Sequence, residues 1–233
     1  MPKLSYETAL IVGAGSGLSA SLARLFSREG LRVALAARNS QKLAPLCAET
    51  GAKAFVCDAL EPDQVARLFQ DVEAEIGGPE VVVYNASARA RGPLVELVPA
   101  EVERAIMVSA YGGFLVAREA VVRMLPKRHG AVLFTGASAS IKGYPLSAPF
   151  AMGKFALRGL AQSIARELAP QGIHVGHFVI DGAIRNPGRV EPPDRPDSML
   201  DPDAIAATYL SVLKQPRSAW TWEVELRPWV ERF

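Results

Sequence analysis

Apolar positions along the chain fall into two alternating rhythms. Seven short runs with little polar interruption read as strands: Thr8 to Val12, Val33 to Ala37, Ala52 to Cys57, Glu80 to Tyr84, Ala131 to Thr135, His174 to Ile180 and Trp220 to Leu226. Between them apolar residues recur at helical spacing, as in Leu18, Leu22, Leu25 and Phe26, or Val65, Leu68, Phe69, Val72 and Ile76. Further helices are expected at Ser40 to Glu49, Pro99 to Met124, Pro149 to Leu168 and Pro202 to Leu213, the last capped by Asp201 with Pro202 at its first position. Strands without polar alternation, separated by helices, imply a parallel sheet covered on both sides. The expected architecture is therefore a doubly wound α/β fold with seven strands in one domain.

Two segments leave this rhythm. Residues 185–200 carry Pro187, Pro192, Pro193 and Pro196 among many charges, and read either as a lid loop over a ligand or as a plain surface excursion. The tail Arg227-Pro228-Trp229-Val230-Glu231-Arg232-Phe233 either packs on a neighbouring subunit or folds back on its own core.

Composition narrows the partners. The 26 basic and 24 acidic residues leave a net charge of +2, and the bases are interspersed with acids, which argues against a nucleic-acid groove. Cys47 and Cys57 lack a metal-ligand spacing and fit free thiols of a reducing compartment. No apolar stretch with a cleavage site follows Met1-Pro2-Lys3-Leu4, and no uninterrupted apolar run reaches about 18 residues. The expectation is a cytoplasmic protein that handles a small molecule, with neither a membrane nor a nucleic acid as partner.

The first strand ends in Gly13-Ala14-Gly15-Ser16-Gly17 and a helix follows, the order in which a Rossmann-like fold builds a pyrophosphate site. Glycines there permit a tight turn and close approach of backbone to phosphate. An acid that holds unphosphorylated ribose is expected about 20 residues further on. The second strand instead ends at Arg38, whose guanidinium suits a 2′-phosphate and so favours NADP; the bland alternative is a solvated arginine at a helix start. Asp58 and Asn85 follow the third and fourth strands on the same carboxyl edge, where they serve either a ligand or the loops themselves.

With these residues in place, the chain resembles the short-chain dehydrogenase/reductase family from Tyr6 to about Leu226. Gly13, Gly15, Ser16, Gly17 and Leu18 match its glycine motif, with Val12 where threonine is common and Ser19 where a last glycine is common. Tyr84-Asn85-Ala86-Ser87 is similar to its Asn-Asn-Ala-Gly segment, Asp58 to its adenine-contacting acid, and Arg38 to the arginine of NADP-preferring members. The resemblance implies NADP as cofactor, with contacts extending to Ala59, Asn85, Ala86, Lys154, Gly182 and Ile184. It also implies a homodimer or homotetramer, built through the two long helices.

The catalytic half departs from the family. Relatives carry Tyr-x-x-x-Lys, whereas this chain reads Phe150-Ala151-Met152-Gly153-Lys154. Phenylalanine has no proton to give or take. The serine position, thirteen residues upstream, is Ala137, with Ser138 one residue off, and the helix asparagine is replaced by Ser109. Lys154 then keeps the ribose role that the resemblance implies. Asp181-Gly182 stands where Pro-Gly is usual. Ser138, Tyr144, Lys154 and Asp181 are the candidates for the missing chemistry, with Tyr111 and His177 behind them. Three functions fit: an NADP-dependent oxidoreductase acting on a small carbonyl or activated alkene by a non-standard proton route, an NADP-binding regulatory or structural protein without turnover, and a non-redox lyase or isomerase.

Overall fold

The computed structural model describes residues 4–231. Seven parallel strands, β1 (Thr8–Val12), β2 (Arg32–Ala37), β3 (Lys53–Val56), β4 (Val81–Tyr84), β5 (Gly130–Thr135), β6 (Ile173–Ile180) and β7 (Glu223–Leu226), form one sheet in the order β3-β2-β1-β4-β5-β6-β7. The order reverses between β1 and β4, so a crevice opens at the carboxyl ends of these two strands. Strand neighbours alternate between two cores, which is why both parities had to be apolar: Ala9 and Ile11 face one, Leu10 and Val12 the other.

Helices α1 (Leu18–Arg28), α2 (Ala44–Thr50) and α7 (Pro202–Leu213) cover the first core, where Leu22, Phe26 and Tyr209 are fully buried. Helices α3 (Pro62–Ile76), α5 (Gly112–Met124) and α6 (Ala148–Leu168) cover the second, with Phe69, Val116 and Leu157 inside. As the sequence implies, Asp201 caps α7 by accepting from Asp203 N at 2.9 Å.

The structure redraws some boundaries. The expected helix at Ser40 to Glu49 splits into a 3₁₀ turn, Ser40–Leu43, and α2, because Pro45 in the first turn of α2 has no N–H to continue the preceding ladder. The expected helix at Pro99 to Met124 is α4 (Pro99–Ile106), a π turn (Met107–Tyr111) and α5. Tyr84 donates its hydroxyl to the carbonyl of Val108 inside that π turn. The last strand starts at Glu223, three residues later than expected, and the Trp220 ring ahead of it stacks on His174. By length and composition Pro99–Lys127 is apolar enough to cross a membrane, yet Val116, Ala120 and Met124 within it are buried against the sheet.

The segment 185–200 is tied at its base: Ile184 pairs with Leu200, and Arg185 meets Asp201 at 2.7 Å. In the tail, Trp229 is largely exposed, while Arg232 and Phe233 lie outside the described residues. Cys47 and Cys57 are free thiols.

Candidate active site

The glycine turn sits at the crevice because no side chain would fit it. Gly13 has φ +84°, and a Cβ there would lie 2.4 Å from the Ala86 backbone nitrogen. Asn85 donates to Ser19 Oγ at 2.7 Å, and Ser19 donates to the Gly13 carbonyl at 3.3 Å, so the loop after β4 locks the turn. No side chain caps α1 at Gly17, which leaves its first amides turned toward the crevice for an anion.

A cleft of about 550 Å³ runs from this turn across β1 and β2. Arg38, Asp58, Ala59, Asn85 and Ala86 line it, as do Gly13, Gly15 and Ser16. Arg38 is exposed, and Asn39 and Lys42 stand beside it on the wall. One Asp58 oxygen accepts from Leu60 N at 3.1 Å, so this carboxylate braces its own loop as well as facing the cleft. The lining fits a dinucleotide: a bare backbone cradle at one end, and Arg38, Lys42 and Asp58 toward the other.

A smaller cavity of about 270 Å³ shares Gly13, Gly15 and Asn85 with that cleft and extends it toward α6. Gly17, Leu18, Gly182 and Ile184 line it, together with Phe150 and Lys154. Lys154 is sealed from solvent and donates to the Thr135 carbonyl at 2.7 Å. Burial, then the charge of Arg89, brings its pKa down to about 7. The Phe150 ring centroid lies 5.8 Å from this ammonium and 4.1 Å from the Arg89 guanidinium. Ala137 and Ala139 pack on the ring, so a small apolar cluster occupies the place where the resemblance puts two hydroxyls.

The other catalytic candidates are not brought to this cavity. Ser138 opens a 3₁₀ turn whose carbonyl accepts from Ile141 and Lys142, and it is absent from the described cavity wall. Asp181 is buried and turns its carboxylate to Lys142 at 3.2 Å; the same ammonium lies 5.7 Å from the ring centroid of the exposed Tyr144. Its neighbours Tyr144, then Asp181, raise the Lys142 pKa. Tyr144 and Asp181 are therefore joined through one lysine, outside the wall that holds Phe150. His177 is buried in β6 and donates from Nδ1 to the Glu223 carboxylate at 3.0 Å, and desolvation lowers its pKa to about 4. Tyr111 stacks on Phe114 at 6.1 Å. Ser109 is fully buried with no hydrogen-bond partner among the described residues, pressed where α6 passes at Gly153. Sequence reasoning missed Arg89, Arg189 and Lys42. The first stands four residues past Asn85, and the rule that loops at the carboxyl edge face the ligand would have found it.

The short chain dehydrogenase family profile matches residues 7–187, most of the sheet and both halves of the cavity wall. The chain belongs to that family. A short-chain dehydrogenase from Rhodopseudomonas palustris superposes with a TM-score of 0.82 at 36% identity, over 96% of this chain and 99% of the other. A metagenomic short-chain oxidoreductase solved in complex with NADP superposes at 0.84 and 28% identity, over 98% of this chain and 100% of its own. An uncharacterized oxidoreductase of Staphylococcus aureus (strain N315) is 29% identical over 98% of this chain and 100% of its own length. This short-chain dehydrogenase is thus an NAD(P)-dependent oxidoreductase by class, with Phe150 one helical turn before its buried lysine on α6.

Proposed function

We propose that the protein uses NADP(H) to pass a hydride between the nicotinamide and a small carbonyl compound or activated alkene, with Lys154 in place of a tyrosine in the proton route. The observation that carries this reading is the shared groove: Arg38 at one end and Lys154 at the other line connected cavities that meet at Gly13 and Gly15. The metagenomic relative solved with NADP supports the choice of cofactor. Arg38 and Lys42 would hold the 2′-phosphate, and the Gly13 to Gly17 turn the pyrophosphate.

When bound, the nicotinamide supplies the hydride acceptor or donor. Lys154 does the rest: with a pKa near neutrality it is partly protonated at pH 7, and it can give a proton to a substrate oxygen or take one back. Phe150 and Ala137 keep water from the reacting face. The apolar cluster also favours a second reading, NADP binding without turnover. The lyase or isomerase alternative needs Asp181 or Tyr144, which face Lys142.

Calorimetry with NADPH and NADH tests the cofactor assignment. Arg38→Ala should weaken NADPH by about 1 to 3 kcal/mol and leave NADH nearly unchanged, the loss of one charge-assisted hydrogen bond. Equal losses for both cofactors would remove the 2′-phosphate from the account. Transfer of deuterium from labelled NADPH to any carbonyl substrate separates turnover from binding alone.

A further inference from the structure

We propose that the cavity over Phe150 takes a substrate bearing a carboxylate, bound by Arg89 with Arg189 behind it. This inference deepens the oxidoreductase reading and rests on it only for the identity of the reacting group.

The charges in the cavity point one way. Arg89, Arg189 and Lys154 line it, and no aspartate or glutamate does among the described residues. Neither arginine has an ion-pair partner among the described residues, although the chain pairs many of its other arginines, such as Arg24 with Glu49 at 2.6 Å and Arg158 with Glu223 at 2.6 Å. Partial burial, then the charges of Arg189 and Arg91, lowers the Arg89 pKa, the mark of cations held together without a counter-charge. An anion between them relieves that repulsion and recovers charge-assisted hydrogen bonds.

The cavity also carries Gly13, Gly15 and Gly17 of the cofactor turn, so the acid shares one space with the nicotinamide half and needs cations beyond those the cofactor's phosphates already have. The cleft toward Arg38 has its own cations for a ribose phosphate, and the glycine turn has backbone amides for a pyrophosphate. Arg89 lies over the Phe150 ring, its guanidinium carbon 4.1 Å from the ring centroid, on the α6 side of the cavity. Stacking leaves the edge of a guanidinium free, and the edge is what meets a carboxylate in two parallel bonds. Arg189 is held by a reciprocal backbone pair with Asn186, so the second cation stands on an ordered turn. A volume of about 270 Å³ limits the guest to a few carbon atoms beside a nicotinamide. A short oxo acid fits these conditions.

The test is calorimetry on the full chain with 2-oxobutanoate, its methyl ester and inorganic phosphate, each with and without saturating NADP. The oxo acid should bind at least about ten-fold tighter than the ester. Arg89→Leu should abolish that preference while NADPH affinity stays within about two-fold, and Arg89→Lys should retain part of it. Equal binding of acid and ester overturns the proposal. So does an Arg89→Leu variant that loses NADPH affinity and keeps the acid preference, or phosphate that binds tighter than the oxo acid and is displaced by NADPH. Should NADPH fail to bind wild-type protein, the cofactor reading falls, and the acid-to-ester ratio in ligand-free protein still decides the anion site.

Discussion

At the scale of residues, Lys154 is the group whose surroundings are most unusual. An ammonium sealed among Thr135, Phe150 and Arg89 has lost its water, and its pKa falls from 10.5 to about 7. The unfolded chain would hold that proton up to the ordinary lysine value. Between pH 7 and 10.5 the unfolded state therefore binds more protons than the native one, and stability rises with pH across that window. Below pH 7 the full burial penalty remains. Lys154→Met should accordingly raise stability at pH 6 by on the order of a few kcal/mol relative to wild type, and much less at pH 10.5, in urea unfolding at the two pH values. The same variant should lose hydride transfer if the lysine carries the proton. An equal gain at both pH values would show that the ammonium is better solvated than its burial implies.

At the scale of elements, the π turn between α4 and α5 does local work for the site. It carries Val108 to the wall of the large cleft, and Tyr84 at the end of β4 satisfies its carbonyl. Gly112 makes the arrangement possible: a Cβ there would lie 2.4 Å from the Tyr84 hydroxyl and 3.0 Å from the Ala59 carbonyl. Gly112→Ala should then cost about 1 to 3 kcal/mol through overpacking, despite the higher helix propensity of alanine. Combining it with Tyr84→Phe should cost less than the two single losses together, because the phenylalanine removes the atom that alanine strikes. Additive losses in urea melts would mean that the helix shifts as a unit instead.

At the scale of the whole molecule, two helices leave large apolar side chains unburied: Phe114 and Val122 on α5, and Met152 and Phe155 on α6. Each is more than two-fifths exposed, an unfavourable arrangement for a free monomer. We propose that these helices pack against a second copy, in keeping with the expected homodimer or homotetramer. Light scattering at micromolar concentration should give a multiple of the 25.0 kDa chain mass, and Phe155→Glu should shift it toward the monomer. A monomeric wild type would assign these residues to the surface alone.

Local sequence determined what depends on local burial. Short continuous apolar runs and period-3.6 apolar patterns located all seven strands and most helix ends, because each residue's environment is repeated by its neighbours. The glycine turn was legible because only a residue without Cβ can stand 2.4 Å from Ala86, and the loss of a hydroxyl at Phe150 needs no coordinates to read. Tertiary structure decided where side chains on loops turn. Tyr144 and Asp181 qualified by residue type, yet both lie against Lys142: the buried Asp181 carboxylate keeps an ion pair with it, and the exposed Tyr144 ring stands beside the same ammonium. Arg89 carried no local signal, being one polar residue in an aperiodic loop. Its place follows from the sheet, which sets the loop after β4 over the face of α6, where the Phe150 ring offers an aromatic face to the guanidinium.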